Sequence, residues 1–193
     1  FEEKFNQASL YHSQIEEDLK NDVIGHEATL KSAKTSYFKG DFDWALKQFI
    51  ELQSFLETPK NIVIIGHRNP DGDAMGATLG LCHYLKKKGH NPTVVVPNEY
   101  PKFLHWLPGS ENTYRFDWQN SQSQRAINAS DIIFLLDFNA LHRVGHDMQN
   151  TLESYQKDFV LIDHHQQPDT PSFGFGISDV KMSSTCEMIY DFI

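Results

Sequence analysis

Three short clusters of acidic and imidazole side chains stand out in this 193-residue chain. The first is His67-Arg68-Asn69-Pro70-Asp71-Gly72-Asp73, the second Asp137-Phe138-Asn139, the third Asp163-His164-His165. Carboxylates crowded together repel one another unless a cation joins them. Carboxylate oxygen mixed with imidazole nitrogen suits a hard or borderline divalent ion; Mn2+ matches well, and Mg2+, Co2+ or Zn2+ are compatible. Two such ions about 3.5–4 Å apart activate a shared water and clamp the attacking and leaving oxygens of a phosphoryl centre. The turn over 70–73 can aim two carboxylates at neighbouring ions, because Pro fixes one backbone angle and Gly permits a tight reversal. Taken singly, each cluster has a plainer reading: a turn with a helix cap, a strand-end cap, a surface pair of histidines. Only their joint placement favours a metal centre.

That placement depends on the elements before each cluster. Residues 61–66 form an apolar, β-branched run after Pro59, which predicts a strand buried on both faces. Further strands are expected at 93–96, 132–136 and 159–162. Helices are expected at 74–88, 100–107 and 119–129. In the first of these, Met75, Leu79, Cys82 and Leu85 line one side, and Gly89 stops the helix. Ser184-Thr185-Cys186-Glu187 has the capping-box pattern before a helix over 186–192. Strands alternating with helices predict an α/β fold with a doubly wound, mainly parallel sheet, preceded by a helical hairpin segment. In such a sheet the strand carboxyl ends share one edge, where ligands bind. Each of the three clusters follows a strand, so all three are expected there. Gly76 and Gly80 are expected to let the first helix pack closely on the sheet, and Tyr84, Trp106 and Trp118 to join the core. His142 and His146 have i,i+4 spacing, but Gly145 interrupts them, which weighs against a zinc site.

The three clusters, together with Ser183-Ser184-Thr185-Cys186-Glu187, resemble the DHH phosphoesterase family over about residues 48–193, amino-terminal domain only. Within it the chain looks most like the bacterial bifunctional oligoribonuclease and pAp phosphatase group. The resemblance implies hydrolysis of short single-stranded RNA or a small nucleotide phosphate by a water activated between two Mn2+ ions. It implies His67, Asp71, Asp73, Asp137 and His164 as metal ligands, with Asp137 bridging. His165 would reach a phosphate oxygen, and Asp163 would orient its neighbours from behind. Asn69, Arg143 and Ser184 are candidate phosphate contacts. The family supplies a further Asp and a carboxy-terminal DHH-associated domain after the last helix. The chain stops inside that helix, so it reads as cut short, with weak or absent turnover expected. A cyclic dinucleotide or pyrophosphate is the rival substrate, and a non-catalytic interaction module with a vestigial site the rival class.

Composition narrows the field further. Seventeen Lys and Arg against 26 Asp and Glu give a net charge of −9, which argues against duplex DNA as a partner. No apolar run approaches a membrane span, and no signal peptide is seen. Two cysteines, Cys82 and Cys186, cannot staple a fold and read as reduced thiols of a cytoplasmic protein. Residues 1–58 form a helical extension separate from the domain at 59–193. Within it, 33–49 resembles a single tetratricopeptide repeat broken at Gly40-Asp41, and one such unit cannot bury its own face. A protein partner through 1–58 and a homodimer are further candidates.

Overall fold

A computed structural model describes residues 52–156, 159–167 and 175–193. The helical expectations for 1–51 lie outside them. Thr58–Ile189 form one compact unit, which carries the three clusters.

Its elements run β1 (Asn61–Ile65), α1 (Gly72–Lys87), β2 (Asn91–Val96), β3 (Tyr114–Arg115), α2 (Asn120–Ala129), β4 (Ile132–Leu136), α3 (His146–Glu153), β5 (Phe159–Asp163), β6 (Phe175–Ser178) and α4 (Thr185–Phe192). The strands form one sheet in the order β3-β2-β1-β4-β5-β6. All five pairings are parallel. The order runs outward in both directions from the β1–β4 pair, so the topological switch point lies between those two strands. Four strands are therefore found where expected. The two edge strands β3 and β6 escape sequence reading, because one has two residues and the other carries Gly176 in place of an apolar residue.

Central strands read as unbroken apolar runs because both faces are covered. Every residue of β4 and β5 is buried. Side chains alternate, so Val63, Ile65, Ile133, Leu135 and Leu161 share one face with Ile127 of α2 and Met148 and Leu152 of α3. Full burial of each such side chain contributes about 1.5–3 kcal/mol. Helix α1 packs on β1, β2 and β4. It starts at the N-cap Asp71, whose carboxylate accepts from the N–H groups of Asp73 and Ala74, and ends with Lys86 and Lys87 in its last turn.

Three expectations are corrected here. A Cβ on Gly76 would meet Cys186 Sγ at 2.6 Å, and one on Gly80 would meet Ile189 at 3.9 Å. Gly76 therefore admits α4 against α1, where a side chain on Gly80 would make only ordinary contact, and a Cβ on neither would meet a sheet atom within 4 Å. Trp106 and Trp118 are 76% and 78% exposed, so neither is core. Trp118 lies beside the Arg115 guanidinium, 5.8 Å from ring centroid to Cζ, which gives the indole a partner without burial. The short helix expected at 100–107 is only the 3-10 turn Lys102–Leu104. Among the described residues no helix is long and apolar enough to cross a membrane.

Candidate metal centre

Three loops leave the carboxyl ends of β1, β4 and β5 and meet at one point. After β1, His67 is 8% exposed. Its Nδ1 lies 2.8 Å from the Arg68 carbonyl. A carbonyl only accepts, so Nδ1 carries a hydrogen, and whenever the ring is neutral Nε2 has its lone pair for the site. Nε2 stands 3.5 Å from Asp137 Oδ2 and 3.9 Å from Asp71 Oδ1. Asp71 thus caps α1 and faces His67 with the same oxygen.

Asp137 follows β4, is 2% exposed, and adopts φ 67°, the left-handed region. Its N–H donates to the Ile162 carbonyl at 3.1 Å. Asn139 Nδ2 donates to the Gln166 carbonyl at 2.8 Å. These two bonds hold the β4 loop against the Asp163-His164-His165 loop and sustain a backbone conformation that a non-glycine residue adopts only at a cost. Asp137 Oδ1 lies 3.5 Å from His164 Nε2 and 4.0 Å from His165 Nδ1. His165 Nδ1 is itself 2.7 Å from Asp163 Oδ1, which turns its Nε2 outward.

Ligand atoms of His67, Asp71 and Asp137 lie within 4.8 Å of one another, and so do those of Asp137, His164 and His165. Asp137 belongs to both groups. Asp73 lies in neither. Its Oδ2 is 3.7 Å from His164 Nε2, but its two oxygens accept from the N–H groups of Thr185 (2.8 Å) and Cys186 (2.7 Å) at the start of α4. Of the candidate phosphate contacts, Asn69 is bonded through Oδ1 to Asn98 Nδ2, and Ser184 Oγ accepts from the Glu187 N–H as the cap of α4. Arg143 is exposed, and its carbonyl accepts from the Arg68 N–H at 2.9 Å. Among the described residues, no hydrogen bond or ion pair joins these three side chains to the carboxylate and imidazole groups.

Sequence reasoning passed over Thr185. It is fully buried, and its hydroxyl donates to Asp137 Oδ1 at 2.9 Å. The signal was present in the Ser-Ser-Thr-Cys-Glu stretch, but the capping pattern drew attention to Ser184.

The charge balance fits a cation. Among the described residues, the ion pairs of Asp71, Asp73, Asp137 and Asp163 are all to histidines, none to Lys or Arg. Asp163 Oδ2 is buried without a hydrogen-bond partner. Burial pushes the Asp137 carboxyl above its ordinary value; His67 and Thr185 oppose this, and the Asp73 charge adds to it. Burial also pushes Asp73 up, but the Cys186 and Thr185 donors and His164 outweigh it and hold the group low. Burial and the Asp73 carboxylate push the Cys186 thiol up to about 12, so it stays protonated and inert.

A family profile described as the DHH family, N-terminal domain, matches residues 61–193. The chain belongs to the DHH family. The DHH domain is similar to a solved exopolyphosphatase-related protein from Bacteroides fragilis, at 35% identity and a TM-score of 0.73, over 76% of this chain and 43% of that one. It is 29% identical over 134 residues to the bifunctional oligoribonuclease and PAP phosphatase NrnA of Thermus thermophilus, covering 68% of this chain and 36% of the relative. It is 25% identical over 121 residues to the cyclic-di-AMP phosphodiesterase GdpP of Bacillus subtilis, covering 60% of this chain and 18% of the relative. The chain therefore spans less than a fifth of one of these two curated relatives and a little over a third of the other.

Two expected results follow from the geometry of the DHH domain. Thr185→Val keeps the shape and removes the hydroxyl from Asp137. Divalent-cation affinity should fall on the order of 10-fold, as for other groups that orient a ligand from behind. Isothermal titration calorimetry reads this, and an unchanged affinity would show that the hydroxyl does not position Asp137.

The second result concerns pH. The hydrogen bond to Asp137 raises the His67 pKa above 6.5; burial opposes it, and the Arg68 carbonyl and the Asp137 and Asp71 charges reinforce it. The metal-free fold therefore binds the His67 proton more tightly than the unfolded chain does. This stabilisation is full below pH 6.5 and is lost as pH rises through the raised value. A cation needs neutral His67, so its affinity should rise across that same window. Mn2+ titrations from pH 6 to 8 should show affinity climbing while the melting temperature of the metal-free chain falls.

Proposed function

We propose that this chain is the catalytic domain of a two-metal phosphoesterase acting on short oligoribonucleotides and on 3′-phosphoadenosine 5′-phosphate in the cytoplasm. The observation that carries this reading is Asp137: one buried carboxylate, shared by two groups of ligand atoms. His67 and Asp71 would hold one ion, and His164, with Asp73 beside it, the other, with Asp137 between them. The mixed oxygen and nitrogen donors suit Mn2+, with Mg2+ or Co2+ as substitutes. Bound ions supply Lewis-acid neutralisation of the phosphoryl group and an activated water. The chain's own residues do the rest. Asp163 fixes the His165 ring through Nδ1, leaving Nε2 to hydrogen-bond a phosphate oxygen as charge builds on it. Thr185 and the Ile162 carbonyl hold Asp137 in place.

The likeness to NrnA supports the substrate choice, and the likeness to GdpP makes cyclic-di-AMP the natural comparison. The test presents an RNA dinucleotide, 3′-phosphoadenosine 5′-phosphate, cyclic-di-AMP and pyrophosphate to the protein with Mn2+. The first two should be hydrolysed fastest. Hydrolysis of pyrophosphate or cyclic-di-AMP alone would overturn the substrate reading.

A further inference from the structure

The loop that carries His67 continues directly into the wall of a second feature. A cavity of about 190 Å3 opens at the carboxyl ends of β1, β2 and β3, one residue beyond His67. Its floor is apolar, with Phe116 and Met148 among the buried residues. Its rim is polar, with Arg68, Asn98, Asp117 and Asp147 around it. Gly145 has φ +85°, and a Cβ there would stand 3.4 Å from Arg68 Cδ and Nη1, so the bare backbone lets the guanidinium lie against it. The Arg68 N–H donates to the Arg143 carbonyl, which ties the wall of the cavity to the β4 loop.

We infer that this cavity is the subsite for the nucleoside of a nucleotide whose phosphate lies at the metal centre. This deepens the phosphoesterase reading and rests on it. Charge decides the class of ligand. Of the fixed charges that line it, Arg68 stands against Asp117 and Asp147; His146, also in the lining, is 3.6 Å from Asp147, and Arg115 next to the cavity is 3.6 Å from Asp117 and 3.3 Å from Glu99. The surplus is acidic, so a second phosphate would be repelled here. A neutral heterocycle with hydroxyl and amine donors fits both the apolar floor and the carboxylate rim.

Backbone amide NMR tests this, because it detects weak binding and needs no turnover. Orthophosphate, pyrophosphate and adenosine 5′-monophosphate are each titrated into the chain with Mg2+. All three should shift amides of the loops at 67–73 and 137–139. Only the nucleotide should also shift Asn98, Asp117 and Gly145, and by at least threefold more than pyrophosphate. In Asp147→Lys, which alters a side chain 92% exposed, that ranking should invert. If phosphate shifts the metal loops and the nucleotide adds nothing at the cavity, the subsite is refuted while the metal centre stands. If pyrophosphate shifts the cavity as strongly as the nucleotide, the subsite is likewise refuted. If no ligand shifts the metal loops, the phosphoesterase reading falls and this inference falls with it.

Discussion

Asp137→Ala should remove divalent-cation binding almost completely, with apparent Mn2+ affinity falling on the order of 100-fold or more, the upper end of what loss of a supporting group causes. Asp137 Oδ2 is 3.5 Å from His67 Nε2, and its Oδ1 is 3.5 Å from His164 Nε2. No other carboxylate among the described residues faces both histidines so closely. Without it the two groups of ligand atoms lose their shared member. The fold should survive. Burial pushes this carboxyl up, which means that its charge opposes folding of the metal-free chain. Asp137→Asn separates charge from backbone, because Asn tolerates the left-handed conformation seen at φ 67°. That variant should melt close to the parent without metal and lose the stabilisation that Mn2+ gives the parent. Calorimetry and thermal melts with and without Mn2+ measure both effects. Persisting Mn2+ stabilisation in either variant would show that Asp137 is not the shared ligand.

Gly76→Ala should damage both stability and metal binding from a position that touches no proposed ligand. The new Cβ would lie 2.6 Å from Cys186 Sγ, closer than such atoms approach. Overpacking of this kind costs about 1–3 kcal/mol. The gain in helix propensity returns up to about 1 kcal/mol. Turning the thiol away gives up its hydrogen bond to the Asp73 carbonyl at 3.4 Å, and shifting α4 strains the bonds from Cys186 N–H to Asp73 Oδ1 and from Thr185 Oγ1 to Asp137 Oδ1. Moving α4 away therefore loosens two of the carboxylates at the site. Urea unfolding should show a loss of about 1–2 kcal/mol, with Mn2+ affinity reduced about 10-fold. Cys186→Ala removes the sulfur, so the double variant should regain both quantities in a double-mutant cycle. A Gly76→Ala protein as stable as the parent would mean that α1 and α4 are not packed as described.

What could be read from the sequence follows from where the physics is local. Buried parallel strands must be apolar on both faces, so β1, β4 and β5 announce themselves in Ile62, Phe134 and Val160 and their neighbours. The edge strand β6 is four residues long and carries Gly176 where the pattern calls for an apolar side chain, which erases the strand signal. Asp71 was legible both as a cap and as a metal ligand, and the structure lets one side chain face both ways. Asp73 was legible as an acid near its partners, but not as the anchor of a helix that begins 112 residues later in the chain. That contact is purely tertiary. Thr185 was hidden for the same reason, since a Thr beside a helix cap looks like any other. Trp106 and Trp118 misled because large aromatic residues are usually buried. Nothing local reveals that Trp118 rests on the Arg115 guanidinium.

The most direct measurement is anomalous X-ray scattering at the manganese absorption edge, from crystals of this chain grown or soaked with Mn2+. Two peaks about 3.5–4 Å apart should appear beside Asp137, one toward His67 and Asp71, the other toward His164. Absence of any peak there at saturating Mn2+, or density only at carboxylates elsewhere on the surface, would contradict a two-metal centre.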